Sequence, residues 1–223
     1  MARTRSNAKP GLRTADRVYE EIRREILSGR LQPGERITEE LMAERFGASR
    51  TPIRSAMVRL ESDGFVETTP RSGTTVKQRS PRDIADIYDV RALLESAAAG
   101  LAAQTRSAAD LRELVRVQTE MEECFARHPS SGGGEIEDLS RLNKAFHHRI
   151  LEASGNTTLA DSAVRLMDIG FLINTYASFS QEEIARSLDE HRKLIVAIET
   201  RDVHWAEAMM RAHILGARNS LRP

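Results

Sequence analysis

The chain contains a single cysteine, Cys124, among its 223 residues. One cysteine excludes an intrachain disulfide and a structural zinc site built from cysteine ligands. No apolar run reaches membrane-spanning length, and the basic start of the chain lacks the apolar core of a signal peptide. We therefore expect a cytoplasmic protein with no membrane partner. Its 223 residues, 40% hydrophobic and 30% charged, suffice for one large domain or for a small and a medium one, and we expect two domains.

The net charge is zero, but the charges are unevenly distributed along the chain. Residues 1–82 carry 17 Lys/Arg against 11 Asp/Glu, whereas residues 83–223 carry 16 against 22. A split of this size can arise by chance, but it also indicates that only the first part meets a polyanion.

Residues 49–64 predict a helix that presents arginines outward. Ser49 is a suitable N-cap, Pro52 falls in the first turn and Gly64 is a suitable left-handed stop. Helical periodicity gathers the apolar residues on one side and the polar ones on the other. The predicted apolar face is Ile53, Ala56, Met57 and Leu60, and the polar face is Arg50, Thr51, Arg54 and Ser55. Two arginines one turn apart match guanine edges or phosphates in a major groove, although a merely solvated arginine face gives the same pattern.

The flanking segments place this helix in a larger pattern. An amphipathic helix is predicted at about residues 15–27, and Thr38 can cap a short second helix that ends at Gly47. Two β-prone runs, 65–68 and 74–77, then predict a hairpin. The order is that of a winged helix-turn-helix, with Arg71 and Gly73 at the wing tip, where they can enter a minor groove. A generic surface hairpin remains the alternative for the wing.

The rest of the chain predicts an all-α six-helix bundle. Its helices are expected at about 80–101, 107–125, 135–153, 157–177, 181–200 and 203–221. The predicted fold is therefore mainly α, with a winged helix-turn-helix followed by this bundle. The predicted divisions are a flexible basic arm at 1–13, a DNA-binding domain at 14–77, a linker at 78–82 and a helical domain at 83–223.

Three histidines lie on the apolar stripes of three predicted bundle helices. They are His147, His191 and His213, with Asn143 one turn before His147. Buried polar groups are costly when unpaired, so convergence on one shared ion is an economical arrangement. Neutral imidazoles suit zinc and other divalent transition metals, with nickel or manganese as alternatives. Each histidine taken alone is also compatible with a satisfied core residue.

Such a site can serve catalysis or ligand binding. A helical metallohydrolase with an appended DNA-binding module needs a placed general base, and Glu190 is a poor candidate because it points about 100° away from His191. Open coordination positions can instead bind a carboxylate effector. Arg91 can clamp that carboxylate, with an ion pair to a neighbouring helix as the alternative. Arg165 and Asn174 are weaker candidates.

Several motifs resemble those of GntR-family bacterial transcription regulators of the FadR branch. The first half resembles their winged helix in Phe46-Gly-Ala-Ser-Arg-Thr-Pro-Ile-Arg-Ser-Ala-Met-Val-Arg-Leu60, in Gly64-Phe-Val and in Pro70-Arg-Ser-Gly73. The second half resembles the FCD effector domain in Val90-Arg-Ala-Leu-Leu-Glu95, Asn143-Lys-Ala-Phe-His147, Ala153-Ser-Gly-Asn156, Glu190-His191 and Met210-Arg-Ala-His213. Six helices look like the shorter, VanR-type version of that domain.

The resemblance implies a dimeric regulator, expected to be a repressor and not an enzyme, that binds a short palindromic operator in double-stranded DNA. It also implies a metal site that helps to hold a small carboxylic-acid effector. The predicted DNA-contacting set is Ser49, Arg50, Thr51, Pro52, Arg54, Arg71 and Gly73. The implied metal ligands are Asn143, His147, His191 and His213.

The chain departs from the family pattern at two places. Glu39 and Glu40 stand where many relatives carry a DNA-reading arginine, so operator contacts from the second helix are not carried over. Asn143 stands where many relatives have aspartate. A neutral amide is a weaker ligand than a carboxylate, so looser metal binding is expected.

Overall fold

The computed structural model describes residues 10–70, 73–127, 133–172 and 179–221. In these ranges the chain forms nine α-helices and one two-stranded antiparallel sheet. It divides into two compact units between Arg79 and Ser80. The elements are α1 Pro10–Leu27, α2 Glu39–Phe46, α3 Arg50–Ser62, β1 Val66–Thr69, β2 Gly73–Val76, α4 Pro81–Thr105, α5 Ala108–Arg127, α6 Gly133–Ala153, α7 Thr157–Leu172, α8 Gln181–Glu199 and α9 Val203–Ser220.

The first helix begins earlier than the sequence predicted. Helix α1 starts at Pro10, inside the expected flexible arm of residues 1–13, of which residues 1–9 lie outside the described chain. The prediction relied on the first apolar residue of the periodic pattern. A helix can extend ahead of that pattern, because proline in a first turn loses no hydrogen bond that the helix needs.

The N-terminal unit packs α1 against α3, with α2 also against α3. Val18, Ile22 and Ile26 of α1 are buried at the predicted spacing. Helix α2 is capped by Thr38 and ends at Gly47, whose φ of 59° is the left-handed conformation that glycine adopts without strain. Leu41 is apolar, but it is 45% exposed.

The predicted hairpin is confirmed, with its strands shifted by one residue. Val66 lies opposite Val76, and Thr69 lies opposite Gly73. The segment before α2 also pairs with β2, since Ile37 N donates to Thr74 O at 2.9 Å and Val76 N donates to Glu35 O at 2.9 Å. This pairing was not predicted, and it fixes the hairpin to the start of the helix-turn-helix.

The C-terminal unit is the predicted six-helix bundle. Helix α4 is its longest helix, and it packs against α6, α7, α8 and α9. Its start is defined by a capping box between Ser80 and Asp83, so the helix begins inside the expected linker of residues 78–82. Helix α5 starts with a similar reciprocal pair, Ser107 and Asp110. Helix α7 is described as far as Leu172, and the rest of its predicted range lies outside the described residues.

Candidate functional site

Helix α3 separates a buried face from an exposed face, as its sequence predicted. The side chains of Arg50 and Arg54 are 69% and 73% exposed, and Thr51 is exposed beside them. Ser49 occupies the N-cap position with an extended backbone, but its side chain makes no capping hydrogen bond. Pro52 is buried with the apolar face. The prediction that Pro52 contacts DNA is therefore not supported, because a proline in the first turn here faces the packed side.

Both exposed arginines of α3 meet glutamates of α2. Arg54 Nε donates to Glu39 Oε1 at 2.8 Å and Arg54 Nη2 donates to Glu39 Oε2 at 3.3 Å. Arg50 Nη1 lies 3.2 Å from Glu40 Oε1. The hydrogen bond from Arg54 lowers the pKa of Glu39. Glu39 and Glu40, which depart from the family pattern, thus lie against the two arginines expected to read DNA.

The wing contributes a glycine and an unexpected arginine. Gly73 has φ of 71°, and a Cβ placed there would lie 3.4 Å from the Arg36 guanidinium. A side chain at position 73 would therefore be both strained and crowded. The predicted wing residue Arg71 lies outside the described residues. Arg36 is an exposed cation beside the hairpin that no sequence pattern indicated.

The three bundle histidines converge, as their positions on the apolar stripes predicted. One ring nitrogen from each of His147, His191 and His213 lies within 4.8 Å of the others, and all three residues are buried. The Nε2 atoms of His191 and His213 are 3.3 Å apart. Phe146 stacks on His191 with ring centroids 4.1 Å apart and covers one side of the cluster.

Each histidine uses its other nitrogen, Nδ1, to contact an acceptor. His147 Nδ1 lies 2.6 Å from Glu95 Oε2, and His213 Nδ1 lies 2.8 Å from Glu190 Oε2. Carboxylates accept hydrogen bonds, so Nδ1 carries a proton in both rings.

His191 follows the same rule through an amide. Its Nδ1 lies 3.2 Å from Gln118 Oε1. The Gln118 amide is oriented by its nitrogen, which donates to Leu188 O at 3.0 Å and to Glu122 Oε1 at 2.6 Å. The amide oxygen must therefore face His191, which places the ring proton on Nδ1 and leaves Nε2 unprotonated.

Burial keeps two of these rings neutral. Desolvation lowers the pKa of His191 well below its usual value, and it also lowers the pKa of His147, where Glu95 partly opposes the effect. Burial opposes ionisation of Glu95, but the nearby charge of Arg91 and the contact with His147 lower its pKa to about 2. The site thus combines neutral rings with an ionised carboxylate behind one of them.

Arg91 is held by its own helix. Its side chain is 5% exposed, its Nε donates to Glu95 Oε1 at 2.7 Å and its guanidinium lies 4.8 Å from the centre of the Tyr88 ring. The alternative prediction, an ion pair, describes this geometry, although the partner is one turn along α4 and not on a neighbouring helix. Arg91 supports His147 through Glu95.

The remaining candidates are placed differently. Asn143 is buried one turn before His147 on α6, as expected. Arg165 is exposed on α7, and its role in binding the effector stays a prediction. Asn174 lies outside the described residues.

Sequence reasoning missed three residues that contact the histidines, namely Glu95, Gln118 and Glu190. Glu190 was dismissed because it points away from His191, but it reaches His213 on α9 instead. A polar residue buried in an apolar stripe is the signal that could have indicated Glu95 and Gln118, which are 1% and 4% exposed.

Comparison with known sequence families matches both units. Residues 14–76 match the bacterial regulatory proteins of the gntR family, and residues 86–216 match the FCD domain. The chain is a GntR-family transcription regulator with an FCD domain. The resemblance inferred from the motifs is therefore confirmed, as is the assignment to DNA-binding regulators and not to enzymes.

The relatives of this GntR-family chain are regulators over most of their length. The HTH-type transcriptional regulator YdhC of Bacillus subtilis strain 168 is 29% identical over 195 residues, covering 87% of this chain and 85% of the relative. The HTH-type transcriptional repressor GlaR of Escherichia coli K12 is 26% identical, with 88% and 90% covered. A probable D-xylose utilization operon transcriptional repressor of Paenarthrobacter nicotinovorans is 27% identical, with 90% and 85% covered.

Solved structures share the fold. Escherichia coli McbR/YncC superposes with a TM-score of 0.76 at 22% identity, covering 91% of this chain and 93% of that one. A GntR regulator from Rhodococcus sp. RHA1 gives 0.74 at 17% identity, with 93% and 96% covered. Across the helices that the structure describes, none is both long enough and apolar enough to span a membrane.

Proposed function

We propose that this GntR-family regulator is a metabolite-responsive repressor that binds a short palindromic operator as a homodimer. A divalent metal ion, zinc in the first instance, is held by His147, His191 and His213, with Asn143 as a further ligand. A small carboxylic acid is the effector. The observation that carries this proposal is the convergence of one ring nitrogen from each of three buried histidines, each ring having an acceptor at its Nδ1.

The donor set fits a metal ion. Second-shell acceptors on the far nitrogen are the usual way in which proteins orient metal-binding imidazoles. Two ligands about 2.0–2.1 Å from one zinc ion at a near-tetrahedral angle lie about 3.3 Å from each other. His191 Nε2 and His213 Nε2 are 3.3 Å apart. The spacing of these two nitrogens therefore supports the proposal of a shared ion.

The alternative of three satisfied core histidines explains the geometry less well. Among the described residues, the hydrogen-bond partners of these rings are acceptors or one another. Two facing nitrogens without a proton between them repel each other in a buried site. A cation between them removes that penalty and keeps the rings neutral.

The arrangement also suggests how binding of the ion and the effector affects the rest of the helical bundle. A bound ion would offer open coordination positions to a carboxylate oxygen. The histidines and their acceptors come from α4, α5, α6, α8 and α9, so a ligand that changes the site biases the packing of five helices. Helix α4 carries Glu95 and begins directly after the boundary between the two units, which makes it the connecting element.

Repression and dimerisation are proposed from the relatives. Two of them are described as repressors, GlaR of Escherichia coli and the D-xylose utilization protein of Paenarthrobacter nicotinovorans. One recognition helix per chain reads one half-site, so a palindrome requires two copies. Light scattering of the purified protein is expected to give twice the chain mass, and a monomer bound to its operator would contradict the homodimer.

A thermal-shift screen tests the sensing proposal. Untagged protein, with and without added zinc, is mixed with a panel of small mono- and dicarboxylic acids, and each acid that raises the Tm is then added to an operator-binding titration. We expect at least one acid to raise the Tm only with zinc and to weaken operator binding. His191→Ala should abolish this response, whereas His204→Ala, which alters a histidine that is 97% exposed, should retain it. Equal responses without zinc or in His191→Ala would contradict the proposal.

A further inference from the structure

The two arginine–glutamate pairs between α2 and α3 differ in geometry. A guanidinium has a side edge, Nε with Nη2, and an end edge, Nη1 with Nη2. Glu39 takes the side edge of Arg54 with both carboxylate oxygens, at 2.8 and 3.3 Å. Among the described residues, no acceptor contacts Arg54 Nη1, and Nη2 has a second hydrogen that lies on the end edge. That edge is therefore available to a ligand while the pair stays intact.

Glu39 is the better-fixed member of its pair. It is the first residue of α2, directly after Thr38, whose side chain accepts from Leu41 N at 3.2 Å. Its side chain is 27% exposed, against 73% for Arg54, and α2 packs against α3. The glutamate is thus anchored on the protein side, and the arginine extends from it toward solvent.

We propose that Glu39 is a specificity-determining positioning residue. It holds Arg54 so that the Nη1/Nη2 edge faces a guanine in the operator major groove. That edge matches the O6 and N7 acceptors of guanine as a bidentate pair. This inference rests on the proposed role of Arg54 in operator recognition, and it assigns to Glu39 a function in base selection without requiring it to contact DNA.

The position of Glu39 also affects binding to DNA of other sequences. A phosphate can accept from any edge of a free guanidinium, but Glu39 restricts Arg54 to one edge and places a negative charge close to the DNA backbone. Removing the carboxylate frees the side chain to contact phosphates. Base preference should then fall while sequence-independent affinity rises.

Glu40 provides a matched control on the same helix. Its Oε1 atom lies 3.2 Å from Arg50 Nη1, and the two side chains are 61% and 69% exposed. This is a loose charge contact without a fixed edge. Glu40→Gln removes the same charge from the same helix, so it should raise sequence-independent affinity without changing the base preference of Arg54.

The experiment uses the full-length protein and a library of duplexes with a randomised core of about 20 base pairs, roughly two helical turns. Wild type selects the preferred site, and the guanine whose preference disappears in Arg54→Ala identifies the base pair that Arg54 reads. At that pair we expect Glu39→Gln to lower the preference for guanine about threefold to tenfold, a part of the energy of one bidentate contact. Both Glu39→Gln and Glu40→Gln should bind a scrambled duplex about twofold to fivefold more tightly at low salt.

The outcomes separate the possibilities. The inference holds if Glu39→Gln lowers the preference for guanine and Glu40→Gln does not. The double variant Glu39→Gln/Arg54→Ala must also show no lower preference than Arg54→Ala alone. It is overturned if Glu39→Gln keeps the wild-type preference, if Glu40→Gln loses it equally, or if the loss persists in the Arg54→Ala background. Failure of wild type to enrich any sequence would instead reject sequence-specific operator binding, which is a different result.

Discussion

Two arginine–glutamate pairs of nearly equal length lie in opposite environments. Arg54 Nε and Glu39 Oε1 are 2.8 Å apart on the surface of the N-terminal unit, whereas Arg91 Nε and Glu95 Oε1 are 2.7 Å apart inside the bundle. The exposed fractions of the side chains are 73% and 27% in the first pair and 5% and 1% in the second. The difference shows that burial, and not distance, decides what such a pair can do.

The surface pair leaves its arginine free to add a partner. Water screens an exposed ion pair, so a further contact costs little, and Arg54 can contact DNA through its end edge while Glu39 holds its side edge. The buried pair has no such freedom, because an unpaired charge in the bundle would be strongly destabilising. We therefore assign recognition to the first pair and support of His147 to the second.

The largest expected effect follows from breaking the buried pair. Glu95→Gln leaves the Arg91 charge buried without a carboxylate, which should lower the free energy of unfolding by about 3–5 kcal/mol. Urea titration followed by circular dichroism, in the presence of chelator, measures this change. Glu113→Gln, which removes a carboxylate from the exposed Arg116 pair, serves as the control. A Glu95→Gln protein as stable as wild type would show that the buried ion pair contributes no more to stability than an exposed one.

The next effect concerns the histidines that the buried pair supports. Zinc at 100 times its dissociation constant should stabilise the folded protein by about 2.7 kcal/mol, because the folded state alone presents the assembled ligands. His213→Ala should lose this stabilisation, as should His191→Ala. Thermal unfolding with and without zinc tests this point. Zinc stabilisation that survives both substitutions would place the ion elsewhere.

A smaller effect is expected at Arg50, whose contact with Glu40 is looser than that of Arg54 with Glu39. Arg50→Ala should weaken operator binding by about 1–3 kcal/mol and relax base discrimination, since one guanidinium contact in the DNA major groove is lost. Fluorescence anisotropy titration of a labelled operator measures both quantities. Arg116→Ala, in an exposed pair of the helical unit, should bind like wild type. Operator binding by Arg50→Ala as tight as wild type would remove α3 from the recognition surface.

The smallest effect is the stability change on breaking the surface pair. Glu39→Gln should leave the Tm unchanged within measurement error, because both partners regain water. Differential scanning calorimetry compares it directly with Glu95→Gln. A large loss of Tm in Glu39→Gln would mean that the surface pair is structural and that its effect on DNA binding is indirect.

The sequence predicted which side of a helix is buried better than it predicted which residues of other helices contact that side. Helical periodicity places Arg50 outward and His191 inward, because the apolar residues around them must share one side of a helix. Periodicity does not say which helix lies opposite. The contact between His191 and Gln118 joins residues 73 apart in sequence, and it depends on how α5 packs on α8. Glu190 shows the same limit, since its side chain reaches a histidine on another helix.

Local geometry explains two smaller differences. Pro52 was grouped with the DNA-contacting residues from its position in the motif, but its side chain is buried, whereas Arg50 and Thr51 of the same turn are exposed. Leu41 is apolar and yet 45% exposed, since α2 has eight residues and buries mainly Met42. Short helices give the hydrophobic pattern too few turns to define a face.

Metal content tests the central claim most directly, because we propose that a shared ion explains the convergent histidines. Untagged protein, purified without chelator or metal affinity resin, is subjected to elemental analysis. We predict close to one zinc or other divalent ion per chain in wild type and in His204→Ala, and little in His191→Ala. Wild-type protein without metal, whose stability is the same in chelator and in zinc, would contradict the account.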